Sequence, residues 1–195
     1  RSYLKRTGGE YDLIWLVAPD TYAAMNAASS AAYVLSEGYL YTVEMIEEAL
    51  AHLRDDGVLC AQFGETAYAQ KPNRTTRYVS TAREALRRRG VTDFSRHIVV
   101  LTSPDVLMLS TILVKRAPFS AADIARLTES FARVPGTDPR YVPGTRADVP
   151  GTGAEAPATR AEDGPVSTAI TAPEASLPDW YSRRPYLVGP VTDDS

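Results

Sequence analysis

A single cysteine and two histidines in 195 residues remove several chemistries at once. One thiol, Cys60, excludes an internal disulfide and any thiolate metal cluster. Its setting in the apolar run Val58-Leu59-Cys60-Ala61 reads as a small buried core residue rather than a reactive thiol. His52 and His97 stand apart, and metal sites need clustered ligands, so no metal is expected. No apolar run approaches the roughly 18 residues of a membrane helix. Nor does a basic start lead into an apolar stretch with a small-residue cleavage site, so the piece is expected to be cytoplasmic. The phosphate-cradling GxGxxG loop is missing, as are GxSxG, HExxH and CxxC. Neither sign of charge dominates: 21 Lys and Arg stand against 24 Asp and Glu, giving a net charge of −3 and a pI of about 5.5. The one dense basic cluster, Arg87-Arg88-Arg89, falls at a helix end, where cations complement the dipole. A nucleic-acid partner is therefore not expected.

What is present is 44% hydrophobic content, enough for one core. Gly8-Gly9 precedes a compact run, Leu13 to Val17, with almost no polar alternation, which predicts a strand buried on both faces and central in a parallel sheet. Pro19-Asp20 ends it. The Ala- and Ser-rich stretch 21–33 reads equally as a short helix or an ordered loop. Thr42 then predicts the N-cap of a helix whose stripe Val43, Ile46, Leu50 and Leu53 faces the sheet. Asp55-Asp56-Gly57 reads as a turn into a second strand, Val58 to Phe63. Strand, helix and strand make a βαβ unit, which places the loops after both strands on one sheet edge.

A third segment, about Thr75 to Arg89, has a helical apolar side of Tyr78, Val79, Ala82 and Leu86. Arg74 and Arg77 stand at its entrance, readable as a solvated surface or as an anion contact at the sheet edge. His97–Leu101 and Thr111–Lys115 read as strands joined too closely for a parallel crossover, so their pairing must be antiparallel. Ser120 with Asp123 predicts a capping box for a helix through about Arg133. From 134 to 178 the composition is mainly Pro, Gly, Ala, Thr, Asp and Glu, predicting a flexible insert. Residues 1–133 form the main domain and 179–195 a return segment ending in Thr192-Asp193-Asp194-Ser195. A strand begins almost at once with no initiator Met, as expected of a piece of a longer protein.

Chemistry is expected at the shared sheet edge. Asp20 follows the first strand and would accept a proton or hold an ammonium; Gln62 and Glu65 follow the second and would present an amide and a second carboxylate. Acidic groups around such a crevice suit a cationic amine by Coulomb attraction.

The segments RSYLKRTGGEYDLIWLVAPD and LYTVEMIEEALAHLRDDGVLCAQFGE, with PNRTTRYVSTAREALRRRG, RHIVVL, TILVKRAPFS and PVTDDS, resemble the later half of the spermidine synthase family, the polyamine aminopropyltransferases. The likeness is nearest to bacterial members whose domain is attached to membrane segments elsewhere in the chain. It implies an α/β fold: the later half of a Rossmann-like S-adenosylmethionine-dependent methyltransferase fold, a mostly parallel sheet with an antiparallel terminal strand pair. It also implies aminopropyl transfer from decarboxylated S-adenosylmethionine to a polyamine with no metal, and it allows a homodimer. In the family's D-x-x-D pair the second aspartate falls on Asp20, the catalytic candidate, and the first position holds Val17. Gln62, Glu65 and Tyr39 become the substrate-binding candidates, with Phe63 an extra residue relative to the family's Q-x-E spacing. The nucleotide-binding residues would lie upstream of Arg1. A methyltransferase acting through S-adenosylmethionine, and a catalytically degenerate binding or regulatory domain of a membrane protein, are the alternatives.

Overall fold

The computed structural model describes residues 2–17, 40–65, 68–103, 108–144 and 164–194. Within them the chain is α/β, with a five-stranded mixed sheet flanked by helices. The strands are β1 (Tyr11–Val17), β2 (Leu53–Gly64), β3 (Ile98–Ser103), β4 (Leu109–Lys115) and β5 (Asp138–Tyr141), in the order β1-β2-β4-β3-β5. Only β1 and β2 run parallel; β2–β4, β4–β3 and β3–β5 are all antiparallel. The sheet is therefore mixed rather than mostly parallel. The short β3–β4 connection forces the reversal there, as its length required. The reversed β4 then also sits against β2, so two antiparallel ladders come from one reversal.

Helix α1 (Val43–Ala51) links the parallel pair, completing the expected βαβ unit. Its N-cap is Thr42, whose hydroxyl accepts from the Met45 N–H at 3.2 Å. Leu53, expected on this helix, instead opens β2. The Asp55-Asp56-Gly57 turn becomes an irregularity inside that strand: Tyr11 pairs with Leu53, yet Leu13 pairs with Val58. Residues 54–57 are thereby accommodated opposite Asp12 alone, and Arg54 reaches back to Asp12 at 2.8 Å. Gly57 is needed there because a Cβ would lie 2.8 Å from the Tyr11 carbonyl oxygen. Gly57→Ala is expected to lower stability by about 1–3 kcal/mol through this backbone clash, measurable as a shift in the denaturant midpoint. An unchanged midpoint would show that the irregularity relaxes freely.

Helix α2 (Asn73–Arg88) buries Tyr78, Val79, Ala82 and Leu86 as its periodicity predicted, and Gly90 ends it at φ +86°. Arg87 and Arg88 close on Glu84, and Arg88 also meets Glu44 of α1. With Leu59, Ala61, Phe63, Val100, Ile112 and Val114 of the sheet, α1 and α2 form the main core. Helix α3 (Ala121–Ala132) carries the expected Ser120–Asp123 capping box and covers Val99 and Leu101 on the opposite face.

Two further expectations are corrected. Strand β1 is not central among the described strands: it lies at the sheet edge, with Leu13, Trp15 and Val17 each more than half exposed on the face away from α1 and α2. An apolar run records that both faces favour burial; it does not record what covers them. The expected insert 134–178 contains ordered elements: β5, which pairs with β3, and helix α4 (Pro165–Thr171), which buries Val166, Ala169 and Ile170 in the main core. Small side chains let α4 approach α2 closely, and the buried Arg83 of α2 donates to its last carbonyls, Ala169 O at 2.9 Å and Ala172 O at 2.7 Å. Those carbonyls have no intrahelical partner, so a guanidinium fork can hold a helix end that composition alone would assign to a loop. A last helix, α5 (Leu177–Ser182), leads to the return segment.

Candidate functional site

The carboxyl end of β2, the start of α2 and the returning tail enclose a cavity of about 240 Å³ lined by Tyr41, Phe63, Arg74, Arg77, Tyr78, Thr81 and Val191. Its position follows from the βαβ unit, because side chains leaving the carboxyl ends of parallel strands face the crevice beside the next helix. Four of the lining residues, Arg74, Arg77, Tyr78 and Thr81, recur at helical spacing and so share one face of α2. The tail closes the other wall. Val191 donates from its N–H to the Thr81 hydroxyl at 3.2 Å and accepts from the Val43 N–H at 2.7 Å. The Asp193 N–H binds Glu44 at 2.9 Å. Tyr41 and Phe63 meet the Tyr78 ring at centroid distances of 6.3 and 6.0 Å.

Of the expected site residues, Asp20 and Tyr39 lie outside the described residues. Gln62 and Glu65 are described, and they are not brought together. An odd separation along an extended chain sends them to opposite faces. Gln62 lies on the face away from α1 and α2, accepting from Trp15 Nε1 at 3.1 Å and donating to the Thr111 hydroxyl at 2.9 Å. This ties β1, β2 and β4 in a polar ladder. The same face carries Val17. Glu65 is buried at the start of α2, where its carboxylate accepts from the Thr75 N–H at 2.8 Å and lies 3.2 Å from the Thr75 hydroxyl. Pro72 at the N-cap position has no side-chain oxygen to offer, and Glu65 fulfils that role from the end of the strand. Burial pushes the Glu65 carboxyl above its ordinary value, partly offset by the Thr75 and Arg74 N–H groups and the Arg74 charge.

The remaining titratable candidates have structural partners. His52 lies 3.0 Å from Gly9 O through Nδ1 and 3.3 Å from Glu48 through Nε2. His97, buried, meets Lys115 O at 3.2 Å. Cys60 is buried, and desolvation pushes its thiol up to about 11, which leaves it protonated and inert at neutral pH. Among the described residues, no group of three or more His, Cys, Asp or Glu side chains comes together to hold a metal. Among them, too, no helix is long and apolar enough to cross a membrane.

The charge of the cavity differs from that of the expected crevice. Two arginines line it, and Glu65, the expected carboxylate among the described residues, is turned into the start of α2. Arg74 and Arg77 were legible as an anion contact; Tyr78 was legible only as an apolar helix position, and its partners Tyr41 and Val191 carry no signal that places them beside α2. No protein-family model matches the chain, and no curated protein matches it significantly.

Proposed function

We infer that the chain is the later part of a Rossmann-like S-adenosylmethionine-type transferase domain of the spermidine-synthase kind. The observation that carries this reading is the order of the sheet: a parallel β1–α1–β2 unit, then a strand pair whose reversed member, β4, lies against β2. The resemblance of residues 40–65 and 72–90 to that family supports it. The transferred group is aminopropyl, or methyl in the related reading, and the acceptor is an amine.

Decarboxylated S-adenosylmethionine or S-adenosylmethionine, when bound, supplies a carbon activated by its sulfonium. The described cavity does not fit that group: about 240 Å³ is below the usual range for a drug-sized ligand, and two guanidinium groups disfavour a sulfonium. The co-substrate is therefore assigned to residues other than those lining this cavity. The role proposed for this chain is to position the amine and take up its proton at the Asp20 carboxylate, with catalysis resting mainly on proximity. Calorimetry on the full-length protein tests it, with decarboxylated S-adenosylmethionine, S-adenosylmethionine and putrescine as ligands; absence of binding to all three sinks the reading. Asp20→Asn is expected to reduce turnover by roughly 100-fold or more with an unchanged circular dichroism spectrum. Full turnover in that variant removes Asp20 from the site.

A second reading, a catalytically silent binding or regulatory module, is favoured by one observation: the amide of Gln62 and the carboxylate of Glu65 are both engaged in internal hydrogen bonds. Binding without turnover in the same calorimetry would select it.

A further inference from the structure

The geometry points to the cavity between α2 and the returning tail as a binding site for a small organic oxyanion, a carboxylate or phosphate attached to an apolar body. This inference stands apart from the transferase reading and involves a ligand of the opposite charge to a polyamine. Three features carry it. Arg74 and Arg77 both line the cavity. The Arg77 Nε is buried without a hydrogen-bond partner among the described residues. Arg74 faces Glu65, so part of its charge is already balanced.

The second feature is Tyr78. It is 3% exposed and lines the same cavity, yet its hydroxyl makes no hydrogen bond. A buried donor without a partner is costly, and a ligand oxygen would satisfy it together with the Arg77 guanidinium. Burial also pushes the phenol well above its ordinary value, so it stays protonated and able to donate. The third feature is the remaining wall. Phe63, the aromatic rings of Tyr41 and Tyr78, and Val191 provide an apolar lining, which favours an organic anion over a bare ion. Guanidinium suits this role because it is always charged and presents its donors in a planar fork matching carboxylate and phosphate.

The test uses full-length protein and two probes, benzoate and inorganic phosphate, titrated by calorimetry at low ionic strength. Saturable one-to-one binding of either supports the site. Tighter binding of benzoate marks a carboxylate on an apolar body, and binding of phosphate alone marks a phosphate group. Arg77→Gln is expected to weaken binding at least tenfold, Arg77→Lys less, and Tyr78→Phe a few-fold. Added salt should weaken it progressively. Thermal melts of each variant check folding, and Arg77→Lys, which keeps the charge, covers the case in which Arg77→Gln does not fold. Failure of both probes to bind overturns the proposal, as does binding unchanged in both Arg77 variants, or displacement of the probe by putrescine.

Discussion

Replacing Glu65 by alanine is expected to lower the unfolding free energy by about 2 kcal/mol, whereas Glu65→Gln should cost under about 1 kcal/mol. The asymmetry follows from what Glu65 does. Its carboxylate caps α2 by accepting from the Thr75 N–H, and Thr75 is fully buried, so alanine would leave that N–H without partner or water. Glutamine retains an acceptor oxygen and loses only the charge. The pH dependence carries a definite sign. Burial raises the folded-state value of Glu65 above its unfolded value, so its contribution is fully present below the ordinary glutamate range and declines as pH rises through the folded value. Glu65→Gln should remove that decline. Urea unfolding of the three proteins between pH 4 and 7 measures both effects. A small loss in the alanine variant would show that the capping role is dispensable. If Glu65→Gln retains stability but loses a measured activity, Glu65 acts on substrate as well.

Lys115 should give an effect of comparable or greater size. It is 2% exposed, its ammonium lies 2.9 Å from Asp123 and 3.7 Å from Asp56, and it stands 5.5 Å from the Phe119 ring centre. Lys115→Met is expected to cost roughly 2–3 kcal/mol. That is below the 3–5 kcal/mol of a fully broken buried pair, because Asp123 retains its bonds to the Ser120 N–H and Arg126. The Ser120 N–H, the Lys115 ammonium and the Arg126 guanidinium together hold the Asp123 carboxyl well below the usual carboxylate range. The sign is opposite to that of Glu65. A depressed value gives stability that is present above the unfolded value, about 3.9, and lost as pH falls below it. The gap between wild type and Lys115→Met should therefore narrow below about pH 4. A gap that stays constant into strong acid would refute the coupling.

Much of the fold was legible along the chain. Thr42 and the Ser120–Asp123 box mark helix starts because capping is local, satisfied by residues two or three positions away. The apolar stripe of α2 and the antiparallel β3–β4 pair were equally readable, one from periodicity and the other from a connection too short for a crossover. Helix α4 was not. Its apolar residues are few, and what orders it is Arg83, 86 residues away, holding its last carbonyls. The irregularity at Gly57 reads as a turn in sequence because the same residues suit both, and only pairing with β1 distinguishes them.

For the site, the sequence determined that the two loops of the βαβ unit share an edge and that Arg74 and Arg77 stand beside it. It also contained, in the residue Phe63, the spacing that separates Gln62 from Glu65, since extended chain alternates its faces. What only the tertiary structure decided was the character of the crevice. Glu65 is spent on the start of α2, Gln62 on the opposite face, and the tail brings Val191 against Tyr41 and Tyr78. Local sequence sets which groups are available; long-range packing sets which are left facing a cavity, and among the described residues those are guanidinium and phenol, with the Glu65 carboxylate turned into the start of α2.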